Sequence, residues 1–432
     1  MFADAPSFAA ALNPAPPNRL TNDPTPTDQA IYVPALSPGY CIDVYAKHFP
    51  RPLPQGVQPE DLNFLDPINK LFRISHALIS AGRAVDQQAP CIATERDRKA
   101  TQLICDSGGY QIAQGLISVT SDRDRVRILR WMERYGDVGM TLDVPTGPVL
   151  RGGYQYATTA DCLTATLAHL QCFQKYRQSN LILLNVLQGN DVAESDTWYH
   201  AVRPYRFEGW AFAGVLRRDI SLLCRRILMM CDDGEFDHVR WIHVLGTCDL
   251  QTAVLLTARQ RSINKHINAK VRISYDTSTP FRNLRFKKVY TLPTFETKRI
   301  SMGSRDLPDD PRFVGSQYRW PWPSPLGDLM TLGDFCVPKP ASSSYYRDVQ
   351  SGHYLAHHNL AALCWAIATA NRIFDSEAVN KNPVVGKPIA AAVLAIDEVL
   401  RKSTMMAWAK QQSVFSRLDH DTDASDDERD IP

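Results

Sequence analysis

No window in the 432 residues approaches the roughly 18 consecutive apolar residues that a membrane-spanning helix needs. A helical membrane span is excluded. The first residues, MFADAPSFAAALNPAPPNRL, lack the basic segment and the apolar core of about 7–15 residues that mark a secretory signal, so a cytoplasmic protein is expected. Cysteine occurs at 41, 91, 105, 162, 172, 224, 231, 248, 336 and 364, never as C-x-x-C and never densely. That spacing excludes a disulfide framework and announces no metal site; reduced, mostly buried thiols are expected. A glycine-rich phosphate loop is also missing from the later strand ends, which counts against a barrel enzyme of small phosphorylated substrates.

With 44% apolar and 22% charged residues, the chain has the composition of a globular protein able to build a large core. Its net charge of +2 is unevenly spread: DHDTDASDDERDIP at the end holds seven acids and one arginine, which leaves the rest of the chain basic. A basic body suits a nucleic-acid or phosphate-bearing partner, although surplus Lys and Arg are more often plain solvated surface. The acidic tail has almost nothing to bury and is expected to be disordered.

Residues 1–38, rich in Pro, Ala, Asn and Thr, read as a flexible arm, with order beginning near Gly39-Tyr40-Cys41. A helix is expected over Asp66 to Gly82 from the spacing of its apolar positions. Beyond residue 100 a rhythm begins. Apolar runs at 102–106, 139–143, 181–189, 209–215, 239–246 and 271–276 alternate with amphipathic stretches over Asp122 to Tyr135, Thr159 to Gln178, Asp219 to Cys231 and Cys248 to Ser262. Several stretches open with Asp or Thr, which cap helix N-termini. Strands buried on both faces and alternating with helices imply parallel β structure with βαβ crossovers. Six such units, with room for two more, fit an α/β fold of the (β/α)8 TIM-barrel type, carrying a small additional subdomain and disordered termini. The division expected is 39–400 for the barrel, with an inserted segment at about 325–358, and 401–432 for a helix end and the tail.

Active sites of such barrels form at the C-terminal ends of the strands. Asp106, Asp143, Gln188, Gly214, His243 and Asp276 all occupy that position in their runs. A lone Asp ending a strand is more often a helix cap. Three around one mouth are a concentration of charge that a packed core does not tolerate without a purpose.

The residues at these ends are D-S-G-G-Y-Q (106–111), L-D-V-P (142–145), V-L-Q-G (186–189), A-F-A-G-V (211–215), H-V-L-G (243–246) and S-Y-D-T-S-T-P-F-R (274–282), with a fainter echo in A-H-H-N-L (356–360). Their order over residues 100–290 resembles that of the tRNA-guanine transglycosylases, which exchange a guanine for a 7-deazaguanine at an N-glycosidic bond. The resemblance implies Asp276 as the nucleophile that attacks C1′ and Asp106 as the general acid/base. It implies a base pocket of Asp143 for the Watson–Crick donors and Gln188 with Gly214 for O6, with Gly189, Ser107, His243 and Tyr110 around it. Tyr110 offers a stacking face, and Gly108 and Gly109 clear space for a flat ring; equally, Tyr110 is a core residue and the glycines a turn. Arg282, Arg285, Lys287 and Lys288 lie where a backbone phosphate is expected, or on a solvated strand.

Two departures bear on the substrate. The family's zinc motif, C-x-C-x-x-C with a distant His, is absent: Cys336 stands alone near His353, His357 and His358, so no structural zinc and no other cofactor is expected. After Gly214 the chain runs Val215-Leu216-Arg217-Arg218, basic where the family is small and acidic. Such changes point to the DNA-modifying, DpdA-type branch, which installs a preQ0-type base in DNA. That branch implies DNA rather than tRNA as partner, companion proteins of a modification system, and room for homodimerisation. The alternatives are a tRNA enzyme with a degenerate metal site and a non-catalytic partner subunit, which would not need to keep Asp106 and Asp276.

Overall fold

The computed structural model describes residues 28–418 except 88, 153, 268–269 and 341–343. Eight parallel strands alternate with helices: β1 (Ile31–Pro34), β2 (His76–Ser80), β3 (Gln102–Asp106), β4 (Val138–Met140), β5 (Ile182–Leu187), β6 (Gly209–Phe212), β7 (Trp241–Val244) and β8 (Arg272–Thr277). They hydrogen-bond in the order β1-β8-β7-β6-β5-β4-β3-β2. The two ends of the sheet meet where Ala35 bridges Leu78 in parallel and the Leu36 N–H donates to Leu78 O at 2.8 Å. The result is the expected (β/α)8 barrel.

Strand alternation builds two cores. Ile31, Val33, Leu78, Ile104, Val138, Met140, Leu184, Val186 and Ala211 fill the barrel interior, and Trp241 packs with them. The alternate residues, such as Leu103, Leu183, Leu187, Phe212 and Ile273, face outward against the helices. Each buried aliphatic side chain contributes about 1.5–3 kcal/mol, which makes this double layer the main source of stability.

The helices begin where their caps stand. Ser121 and Thr158 form capping boxes with Asp124 and Asp161 at the starts of α1 (Asp122–Tyr135) and α2 (Thr159–Tyr176). Asp191, Asp219 and Asp249 accept backbone N–H bonds at α3 (Val192–Val202), α4 (Ile220–Asp232) and α5 (Leu250–His266). After β8 come α6 (Thr279–Phe286) and two antiparallel ribbons: β9 (Lys288–Tyr290) pairs with β12 (Ser304–Asp306), and β10 (Thr294–Phe295) with β11 (Ile300–Ser301). Two long helices, α7 (Val349–Glu377) and α8 (Lys387–Lys402), then pack on α5 and α6. No helix among the described residues is long and apolar enough to cross a membrane.

Three expectations about the first hundred residues need correction or limits. Ile31–Pro34 is a barrel strand within the stretch read as a flexible arm; parallel pairing with β8 holds it in spite of the surrounding prolines. No helix spans Asp66 to Gly82. Asn69 instead gathers the turn, its amide donating to the carbonyls of Glu60, Asp61 and Asn63, and His76–Ser80 leaves it as β2, in register with β3 from His76↔Gln102 to Ser80↔Asp106. Residues 1–27 of the arm and the acidic tail from 419 lie outside the described residues.

The segment at about 325–358 is a turn of helix at Leu332–Phe335 followed, from Val349, by the start of α7. Several of its described side chains are engaged within the protein. The Cys336 thiol lies 2.7 Å from Pro308 O, His353 Nε2 contacts Asp43 at 2.9 Å, and His358 bridges Ser324 Oγ and Tyr290 O. Among the described residues no three His, Cys, Asp or Glu side chains gather as metal ligands. All ten cysteines are free thiols, seven of them buried.

Candidate active site

At the C-terminal ends of the strands the barrel opens into a cavity of ≈ 970 Å³. Its floor is acidic: Asp106 from the end of β3, Asp143 from the chain leaving β4, and Asp276 from β8 all line it. Gln188, Gly189 and Gly214 join them from the ends of β5 and β6. Asp106 ends β3 and Asp276 lies one residue from the end of β8, so both carboxylates stand at the C-terminal ends of their strands, where the cavity opens.

Asp276 is held firmly. Its Oδ1 accepts the Gly246 N–H at 2.7 Å and contacts His243 Nε2 at 3.1 Å. Asp106 is held differently: burial pushes its carboxyl up to about 6, a Gly108 N–H opposes that, and the charge of Asp276 adds to it. Asp143 is pushed up to about 7 by burial, against the bond it accepts from Gln188, and the charge of Asp106 raises it further. The Gln188 Nε2 donates to Asp143 Oδ2 at 2.6 Å. One cavity thus contains Asp276, held through one oxygen by Gly246 and His243, and two carboxyls that burial raises toward neutrality.

The glycines serve the protein rather than an open space. A Cβ on Gly109 would meet Asp143 Oδ1 at 2.7 Å, and one on Gly108 would meet Gly82 Cα at 2.9 Å. The expectation that they clear room for a ring is therefore corrected: they let the loop after β3 close on Asp143 and Gly82. Gly214, at φ +56, touches Gly189 O in the same way, and Val215 N–H donates to Gly189 O at 2.9 Å.

Other expected residues divide. Tyr110, 41% exposed, lines the cavity, so it is not a core residue. Ser107 is fully buried, and its hydroxyl ties β3 to the chain after β4 by donating to Thr141 O at 3.1 Å. His243 likewise lies below the floor, wholly buried under Asp276, and does not line the cavity. Of the four cations after Asp276, Arg282 and Arg285 line the cavity. Lys287 ends α6 in a left-handed turn with its ammonium over the Tyr345 ring, and Lys288 pairs with Asp306 at 2.7 Å. The chain reverses at Lys287, which turns both lysines away.

The rim holds what the sequence reading missed. Arg83 after β2, Arg151 after β4, and Arg217 and Arg218 after β6 stand with Arg282 and Arg285 around the acidic floor. Arg83 and Arg285 have no hydrogen-bond or ion-pair partner among the described residues. Arg282, Arg285 and the basic run at 217–218 were visible in the sequence; Arg83 and Arg151 are isolated in it, and barrel closure alone brings them to the mouth. No family model matches the chain, and no curated protein is similar to it.

Proposed function

We propose that the protein is a base-exchange transglycosylase that replaces guanine in a nucleic acid, DNA in preference to tRNA, with a 7-deazaguanine of the preQ0 type. The observation that carries the reading is the pairing, in one cavity, of a carboxylate gripped through one oxygen with a carboxyl that holds its proton to about pH 6. Asp276 attacks C1′ of the nucleotide while Asp106 gives its proton to the departing guanine, and a glycosyl ester on Asp276 results. The incoming base then loses a proton to Asp106 and displaces the ester, so configuration at C1′ is retained.

The remaining residues support the same chemistry. A guanine edge offers N1–H and a 2-amino group as donors and O6 as acceptor. Asp143 meets the donors by taking them in place of the Gln188 amide, which is then available to O6 alongside the Gly214 N–H. The arginine rim suits a polyanion: it would hold phosphates on either side of a nucleotide turned into the cavity. Asp106 and Asp276 are both present, so nothing favours a non-catalytic subunit. The preference for DNA rests on the basic loop at Arg217-Arg218 and on the lone Cys336.

Incubation with labelled guanine or preQ0 and either duplex DNA or bulk tRNA tests the reading. Label is expected in DNA, and Asp276→Ala is expected to abolish both uptake and any covalent adduct. Uptake into tRNA alone would move the substrate to RNA; adduct formation by Asp276→Ala would reject the nucleophile.

A further inference from the structure

We infer that His243, acting with the Gly246 N–H, is a positioning residue that clamps Oδ1 of Asp276, leaves Oδ2 as the reacting oxygen, and eases breakdown of the glycosyl ester. The inference rests on the exchange reading above and assigns a role in it to a group that touches no substrate.

Three buried side chains form a line that ends at Asp276. Trp241 Nε1 lies 2.7 Å from Ser274 Oγ, Ser274 Oγ lies 2.7 Å from His243 Nδ1, and His243 Nε2 lies 3.1 Å from Asp276 Oδ1. His243 and Ser274 are fully buried and Trp241 is 3% exposed. Their order follows from the sheet: His243 faces Ser274 in the β7–β8 register, and Asp276 stands two residues further along β8, one layer higher. The line therefore runs up the barrel interior and stops at the nucleophile.

Proton inventory gives the line a direction. The indole N–H can only donate, so Ser274 receives it and has its own hydrogen to give. Giving it to Nδ1 makes Nε2 the protonated nitrogen of a neutral imidazole, aimed at Oδ1. The opposite tautomer leaves the serine hydrogen without an acceptor and sets a lone pair against the carboxylate; an imidazolium carries the Nε2 proton as well. In each permitted state Oδ1 receives two N–H donors, from His243 and Gly246.

Two donors on a carboxylate affect the two half-reactions unequally. Forming the ester removes charge from Asp276, which the clamp does not favour. In the second half-reaction N9 of the incoming base bonds to C1′, Asp106 takes its proton, the C1′–Oδ2 bond breaks, and the bonding pair returns to the carboxylate. The charge that develops on Oδ1 meets donors already in place, and removal of one such donor costs about 10²–10³-fold in rate.

The test compares turnover with the fraction of enzyme trapped as adduct on a guanine-containing oligonucleotide, resolved on a denaturing gel. For His243→Leu we expect turnover to fall about 10²-fold while the trapped fraction rises. His243→Gln keeps an amide N–H near the position of Nε2 and is expected to recover most of the turnover. Ser274→Ala should slow wild type, yet add nothing in the His243→Gln background, because an amide has no tautomer to set. A parallel loss of adduct and turnover in His243→Leu, with His243→Gln no better, would overturn the clamp while leaving exchange intact. Absence of adduct in wild type on DNA and on tRNA would remove the exchange reading and the clamp with it.

Discussion

Asp106 and Asp143 in the barrel mouth, and Asp306, Asp310 and Asp348 in the region after β8, are the same side chain in opposite company. Lys288 holds Asp306 below the usual carboxylate range, and Arg312 holds Asp310 there, at about 2. Asp348, bonded to Arg51 at 2.7 Å, is lowered too, its partners outweighing its burial. In the mouth the shift is upward. Burial dominates, and the charges that act on Asp106 and Asp143 include further carboxylates rather than an arginine. The molecule has cations enough at the mouth, but they stand on the rim. After β8 these three acids are each paired with a cation where they stand; in the mouth, burial rather than pairing sets the carboxyls, which leaves them able to move protons near neutrality.

The sharpest way to break this contrast is to remove the proton of Asp106. Asp106→Asn keeps the size of the group and abolishes proton transfer, so exchange is expected to fall by about 10²–10⁴-fold. Asp310→Asn, the matching change outside, should leave exchange unaltered. Steady-state label uptake checks both, and equal losses would mean that the shift in the mouth has no chemical meaning.

A second, smaller effect is on stability. Asp143 binds its proton more tightly folded than unfolded, so its contribution is fully present below about pH 4 and is lost as pH rises through about 7. Asp143→Asn should thus be roughly 4 kcal/mol more stable than wild type at pH 8 and indistinguishable from it at pH 4. Its affinity for guanine-type bases should nevertheless drop, since the donor-accepting charge is gone. Urea unfolding at the two pH values, with base binding at pH 8, reads both outcomes; a variant less stable at pH 8 would assign Asp143 to the fold instead of the site.

The fold also explains what could be read from the sequence and what could not. The strands from residue 102 onward are legible because each is an apolar run ending in a polar residue, and four of the intervening helices carry their Asp, Ser or Thr caps in plain view. β1 is four residues between prolines, and β2 follows apolar residues whose spacing imitates a helix; what identifies both is pairing with strands far along the chain. The carboxylates announced themselves as acids at strand ends. His243 was read with them as part of the mouth, but it lies beneath Asp276, because alternation tells which face of a strand a residue occupies, not how deep in the barrel it sits. The arginine rim is least visible of all, being assembled from loops after β2, β4 and β6 and from α6.

That last assembly also supplies the finest test, for it separates cations four positions apart or closer. Arg282 and Arg285 lie three apart on α6 and so share a face, which the fold turns to the cavity. Lys287, at φ 56, then ends the helix, and Lys288 departs along β9 to its pair with Asp306. Sequence proximity makes Arg285 and Lys288 equivalent, whereas the fold makes them opposites. Arg285→Gln should weaken nucleic-acid binding uniformly across sequences and lower the slope of log affinity against log salt by about 1. Lys288→Gln should leave that slope unchanged, because its charge is already answered by Asp306. Binding titrations on one oligonucleotide at several salt concentrations measure the difference. Equal slopes for the two variants would mean that the backbone runs elsewhere, and the rim arginines would then need another explanation.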